Sequence, residues 1–312
     1  MFAGGGGKLL RAVENADLSI EAGESVALVG ESGCGKSVTG FSIMRLLKTP
    51  PAIVRADRLT FDGADILTLP EPDMQAIRGR DIGMIFQEPS SALNPVMTVG
   101  KQVDEVFLRH RGLKQKEARE ATVALFRDIG ISAPERRYHQ YPHELSGGMK
   151  QRILIATATA CRPKLLIADE PTTALDVTIQ AQILELLREL REKNKMSMLL
   201  ITHDLGVVAH NAERVHVMYC GKIVETGRTA EVLTDPLHPY TKGLLRAVPR
   251  LGEKRDRFEQ IPLSVPHPSA KPEGCYFHPR CSEACEACKK HMPPLMPVGK
   301  DGARAVRCWR SG

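Results

Sequence analysis

The sequence predicts an α/β fold around a largely parallel sheet. Two observations carry this. Short, uninterrupted apolar runs recur along the chain as far as about residue 220, and helix-like stretches separate them. A run buried on both faces of a sheet reads as continuous apolar sequence, whereas a half-exposed strand alternates.

Each element follows in order. Residues 25–29 (Ser-Val-Ala-Leu-Val) form the first buried strand. A Gly-rich turn follows, then a helix-like stretch to residue 47. Residues 82–86 and 165–168 read as further buried strands. From residue 98 to about 137 no strand pattern occurs, and the stretch to about 160 reads as a helical insertion. Residues 178–193 are an amphipathic helix, with Ile179, Ile183, Leu186, Leu187 and Leu190 on one face. Strands at 198–201 and 214–218 come after. Beyond residue 234 prolines multiply and the strand pattern vanishes, and 249–272 reads as loop. A boundary near Asp235 therefore divides a domain at 1–234 from a C-terminal region at 235–312.

Composition narrows the class. The chain has 312 residues, 42% hydrophobic and 26% charged, ordinary for a globular protein. No run approaches the ~18 apolar residues of a membrane span. The first residues carry neither a basic region nor an apolar core, so no secretory signal is expected, and a cytoplasmic setting is. The net charge of +6 lies in the tail: residues 246–312 hold 13 Lys/Arg against 7 Asp/Glu, and the rest balances. No basic stripe with stacking aromatics accompanies it, so no nucleic-acid partner is expected. Five of the eight cysteines also lie there: Cys275, Cys281, Cys285, Cys288 and Cys308. In a cytosolic chain such clustering points to metal more than to disulfides.

The chemistry starts at Gly30-Glu31-Ser32-Gly33-Cys34-Gly35-Lys36-Ser37, which fits G-x-x-x-x-G-K-[ST] between a strand and a helix. Glycines let the loop curl so that successive N–H groups face phosphate oxygens, and the helix start adds its positive dipole end. Lys36 then reaches the terminal phosphates and Ser37 can ligate Mg²⁺. Cys34 contributes only its backbone. A second strand, residues 165–168, ends in Asp169 and Glu170. A parallel sheet delivers such carboxylates to its C-terminal edge, where the phosphate loop also belongs. Asp169 suits Mg²⁺, and Glu170 suits a water aimed at the γ-phosphate. Ser146-Gly147-Gly148 opens an apolar helix as a capping sequence with exposed N–H groups. Gln87 and His203 each follow a strand.

These elements, in this order, resemble the ATP-binding subunit of an ABC transporter over nearly the whole chain. The fold implied is the P-loop ABC ATPase domain, a RecA-like core with a helical subdomain. Residues 30–37 resemble Walker A, with Val38 following, and 165–169 resemble the Walker B strand. Glu170 falls on the catalytic glutamate, Gln87 on the Q-loop glutamine, also a Mg²⁺ contact, and His203 on the switch histidine. Residues 145–151 fall on the signature motif, with Met149 where many families carry Gln. Thr173-Ala174-Leu175-Asp176 resembles the D-loop. Phe2 is the candidate for the aromatic that stacks on adenine.

Ile85-Phe86-Gln87-Glu88-Pro89, Ser91-Ala92-Leu93-Asn94-Pro95, residues 174–182, His238-Pro239-Tyr240-Thr241 and the Cys-rich end are similar to the dipeptide/oligopeptide/nickel importer ATPases. Ser37-Val38 resembles one of that family's two paralogous subunits. The resemblance implies a heterodimer with a second paralogous ATPase subunit. In it, each site pairs one chain's phosphate loop with the partner's signature. It also implies two membrane permease subunits and a periplasmic or extracellular solute-binding protein. The chain would then sit peripherally on the cytoplasmic face of the bacterial inner membrane. Cys275-x₅-Cys281-x₆-Cys288-x₁₉-Cys308 resembles the family's pattern for a [4Fe–4S] cluster. Arg280, Lys289, Lys290 and Arg307 would then offset the cluster's charge. Zinc and structural thiols stay open as alternatives, with Cys285 a fifth thiol. Two other classes compete with transport: an ABC ATPase acting on DNA or ribosomes, and a metal-sensing ATPase. The first usually has two cassettes or a coiled-coil insertion, and neither is present.

Overall fold

A computed structural model describes residues 1–3, 9–247, 261–299 and 302–310. The chain divides into two compact units, one of residues 1–19, 25–57 and 200–312, the other of 20–24 and 58–199.

In the first unit the strand Ser25–Val29 is buried along its whole length. It pairs in parallel with Arg214–Tyr219, from Val26↔Arg214 to Val29↔Val217. The strand Lys222–Arg228 returns antiparallel after two residues, Cys220 and Gly221, which both take positive φ (46° and 83°). That is the backbone twist a two-residue hairpin loop requires. The core packs Val29, Val217, Tyr219, Val208, Tyr240 and Phe277 together.

The sheet does not end there. Arg304–Val306 pairs antiparallel with Lys222–Arg228, and Met296–Val298 pairs with it in turn. The tail therefore contributes strands to this sheet, contrary to the expectation that strands vanish after residue 234. The two pieces are three residues each, too short to show alternation, and Pro297 is tolerated on the outermost strand. The sheet is also less parallel than expected at this edge. Glu225 is fully buried there. Its carboxylate accepts from the Leu237 and His238 N–H groups and pairs with Arg304 at 2.9 Å.

In the second unit Ile82–Ile85 and Leu165–Asp169 run parallel in register, Ile82↔Leu165 to Ile85↔Ala168. The helix Val177–Asn194 buries Ile183, Leu186, Leu187 and Leu190, four of the five residues expected on that face, and leaves Ile179 half-buried. Between residues 98 and 137 lie the helices Val99–Arg111, Gln115–Asp128 and Pro134–Arg137. A buried carboxylate joins them. Asp104 is 1% exposed and accepts from Thr122 Oγ1 at 2.6 Å, Gln115 Nε2 at 3.2 Å and the Tyr138 hydroxyl.

Candidate active site

The phosphate loop lies in the first unit. Two of its glycines are forced. Gly30 has φ 155°, and a Cβ there would lie 2.2 Å from the Met218 carbonyl oxygen. Gly35 has φ 110°, and its Cβ would lie 2.8 Å from the Ala12 carbonyl oxygen. Any side chain at either position would displace backbone. The hairpin turn holds the loop from outside, since Gly221 N–H donates to the Cys34 carbonyl at 2.7 Å. Ser32 and Gly33 form the exposed crown. The helix Lys36–Ile43, which contains Ser37 and Val38, begins at Gly35 with no acidic residue in its first turn. Its N–H groups and dipole therefore favour an anion without local repulsion.

Lys36 is buried and donates to the Gly30 and Glu31 carbonyls at 2.8 and 3.0 Å. Cys34 is also buried. Burial, more than its charged neighbours, pushes its thiol above the usual range, so it stays a neutral packing group. His203 is exposed just past the strand Ser197–Thr202, where Asp204 caps the helix Leu205–Asn211. Phe2 lies in the short strand Phe2–Ala3, and the position of its side chain is outside the described residues.

The carboxylate end lies in the second unit. Asp169 closes its strand and is 1% exposed. Glu170 follows with φ 46°, a left-handed conformation uncommon for a residue with a side chain. Gln87 and Glu170 each stand two residues beyond the register pair Ile85↔Ala168. Parallel strands in that register bring their C-terminal ends level, so the two side chains meet. Gln87 Nε2 donates to Glu170 Oε2 at 3.3 Å. Thr173 Oγ1 donates to the same oxygen at 2.7 Å. The sequence showed Thr173 only as part of a motif and carried no sign of this bond.

Ser146 caps the helix Gly147–Thr159, accepting from Met149 N–H at 3.4 Å. Ser146 and Gly147 are exposed, and Gly148 packs so closely on Ile179 that a Cβ would lie 2.8 Å from its Cγ2. This helix start is thus exposed at Ser146 and Gly147, the end of a helix that favours an anion.

Back in the first unit, Cys275, Cys281, Cys288 and Cys308 line one cavity with His238 and Phe277. Cys285 is not part of that lining, although its sulfur is 3.4 Å from Cys288 Sγ. All eight cysteines are free thiols. Burial pushes the Cys275 thiol up to about 11, against a hydrogen bond from the Phe277 backbone. The Cys288, Cys281 and Cys308 thiols raise it further. In this state Cys275 is therefore a neutral thiol. No group of three or more ligating residues among the described ones converges on a single ion. Three of the four basic residues expected to offset cluster charge hold other partners, although Arg307 also interacts electrostatically with Cys275. Arg280 pairs with Glu31, Arg307 donates to the Ile223 and Pro293 carbonyls, and Lys289 pairs with Glu286.

Comparison with known proteins agrees with this arrangement. The ABC transporter family model matches residues 13–173, and the model of the oligopeptide/dipeptide transporter C-terminal region matches residues 224–288. A putative peptide import ATP-binding protein of Brucella melitensis is 52% identical over 308 residues, covering 95% of this chain and 91% of the relative. The oligopeptide transport ATP-binding protein AppD of Bacillus subtilis is 49% identical over 298 residues, covering 96% and 90%. A dimeric ATP-binding cassette solved in a post-hydrolysis state with ADP and Pi superposes with a TM-score of 0.62 at 30% identity, covering 70% of this chain and 90% of that one. The fold is that of the ABC ATPase cassette, and the chain belongs to the ABC transporter family as an ATPase bearing the oligopeptide/dipeptide transporter C-terminal region.

Proposed function

We propose that this ATPase powers the import of peptides, or of a related small solute, through an ABC transporter. The observation that carries the chemistry is the Glu170 carboxylate, held by Thr173 and Gln87 directly after the buried Asp169. The cargo reading rests on relatives of about 50% identity that are named for peptide import.

The residue roles follow. Backbone N–H groups of Gly30, Ser32, Gly33, Gly35 and Val38 bind phosphate oxygens, Glu31 and Cys34 shape the loop with their N–H groups on the Tyr240 hydroxyl and the Glu31 carbonyl, and Lys36 turns from its own loop carbonyls to the terminal phosphates. Ser37, Asp169 and Gln87 would hold Mg²⁺, which neutralises charge on the β- and γ-phosphates. Glu170 orients the attacking water and draws on its proton, and His203 contacts the γ-phosphate. Phe2 stacks on the adenine. Ser146, Gly147 and Gly148 face the nucleotide of a second, paralogous ATPase subunit in a heterodimer.

Two membrane permeases and a solute-binding protein complete the complex. No helix among the described residues is long and apolar enough to cross a membrane. In that complex the chain sits peripherally, on the cytoplasmic face of the inner membrane. The four cavity cysteines, Cys275, Cys281, Cys288 and Cys308, would hold a [4Fe–4S] cluster. Their shared cavity, with Cys285 outside its lining, supports this choice of four.

The test is ATP hydrolysis by the assembled complex in vesicles, with and without peptide-loaded binding protein. Peptide should stimulate turnover, and Lys36→Ala should abolish it. Stimulation by no peptide in a mixed library would overturn the cargo reading.

A further inference from the structure

We propose that Arg280 is a positioning residue for the phosphate loop, through which the folded C-terminal region sets nucleotide affinity. Arg280 lies 249 positions from Glu31, the second residue of the loop. Its Nη1 donates to Glu31 Oε2 at 2.7 Å and its Nη2 to Oε1 at 2.9 Å, a fork-to-fork pair. Nε donates to the Pro262 carbonyl at 2.8 Å, and Nη1 also lies 3.4 Å from the Tyr219 hydroxyl. The Arg280 side chain is only 2% exposed and that of Glu31 29%. A pair this buried loses much of its Coulomb gain to desolvation, so stability alone is a poor reason for it. What it does supply is geometry.

Glu31 is held at all its polar groups. Its N–H donates to the Tyr240 hydroxyl at 2.8 Å, its carbonyl accepts from Lys36, and its carboxylate takes Arg280. Tyr240, on the helix Pro239–Ala247, and Arg280 both come from the chain after residue 234. When phosphates draw Lys36 away from the Gly30 and Glu31 carbonyls, Tyr240 and Arg280 still grip the loop. It then need not reorganise, and less binding energy goes into ordering it. Arg280 also neutralises a carboxylate that would otherwise repel the incoming phosphates. Cys281 is its neighbour, so the folding of the cysteine cavity and the state of the loop are joined through one residue.

The inference rests on residues 30–37 being the phosphate loop, and the experiment separates the two. ATP affinity of the full chain is measured by displacement of a fluorescent nucleotide, beside its thermal midpoint without nucleotide. Lys36→Ala serves as the reference. Arg280→Met should weaken ATP binding by about tenfold, the scale of a charge-assisted pair. Arg280→Lys should recover part of this. Glu31→Gln should weaken binding less, and adding it to Arg280→Met should cost nothing further, because the two share one interaction. In the assembled complex the effect should fall on KM for ATP more than on kcat. Wild-type affinity in Arg280→Met, with affinity lost in Lys36→Ala, would overturn the role of Arg280 alone, as would additive effects of the pair. Wild-type affinity in Lys36→Ala would remove the loop reading and this inference with it. If Arg280→Met does not fold, Arg280→Lys and Glu31→Gln decide, and wild-type affinity in both overturns the proposal.

Discussion

Glu170→Gln isolates one property of the candidate base. The replacement has the same length, and its backbone meets the same cost at φ 46°. Its amide oxygen can still accept from Thr173 Oγ1 and Gln87 Nε2, which now stand at 2.7 and 3.3 Å from a single oxygen. Position is preserved, so only negative charge and basicity are lost. A general base or water-orienting group is worth ~10²–10⁴ in rate. That corresponds to ~3–5 kcal/mol of barrier, at 1.36 kcal/mol per tenfold. Thr173→Val is the companion, since it keeps the carboxylate and removes its shorter hydrogen bond. One hydrogen bond to a charged group is worth ~1.5–3 kcal/mol, so the loss should be at least tenfold but smaller than for the charge itself. The assay is single-turnover hydrolysis of labelled ATP at saturation in the assembled complex, with nucleotide affinity measured in parallel. Affinity should hold while hydrolysis falls at least ~100-fold in Glu170→Gln. Hydrolysis within threefold of wild type would refute the base. Lost affinity with normal turnover would move Glu170 to the nucleotide-holding groups.

Two further outcomes test the fold and the tail. Tyr138→Phe leaves the buried Asp104 one donor short, which should cost ~1.5–3 kcal/mol in chemical denaturation at pH 8. Burial first, then the hydrogen bond to Asp104, pushes Tyr138 up to about 12. The native state therefore keeps a proton that the unfolded chain releases from about pH 10. Its contribution is full below pH 10 and fades as pH rises from there to about 12. The gap between wild type and Tyr138→Phe should narrow over that range, and a constant gap would refute the assignment. Cys275→Ser and Cys308→Ser should each lose iron and sulfide when the chain is purified anaerobically, whereas zinc in wild type or unchanged iron would rule the cluster out.

What was legible in the sequence is what local pattern encodes. The buried strands, the amphipathic helix and the Gly-rich turn depend on neighbours within about ten residues, and each appears where periodicity put it. The Gln87–Glu170 contact was half legible: both positions follow strands, but only the parallel register makes them meet. Arg280 was misread. Its neighbours in sequence are cysteines and prolines, so it was assigned to a cluster, while its fork serves a residue 249 positions away. The strands Met296–Val298 and Arg304–Val306 were missed for a similar reason. They exist because the edge of Lys222–Arg228 offers unpaired backbone groups, which three residues of tail can satisfy without a pattern of their own.

The same non-local logic explains why the phosphate loop has one shape. Ala12 presses its carbonyl against both Gly35 and Gly221, which admits no side chain at either. Glu14 N–H donates to the Gly221 carbonyl at 2.8 Å, and Gly221 N–H donates to Cys34. The Glu14 carboxylate in turn accepts from Lys271 at 2.8 Å and the Tyr276 hydroxyl at 3.0 Å. Attraction to Lys271 and Lys222 holds that carboxyl below its usual range, although burial acts the other way. A glycine-rich octapeptide is intrinsically floppy, with a large conformational entropy to lose. Here an N-terminal segment, a hairpin turn and the C-terminal region close around it from three sides. That entropy is lost on folding, when the rest of the core offsets it, rather than on binding, when only the nucleotide is there to do so.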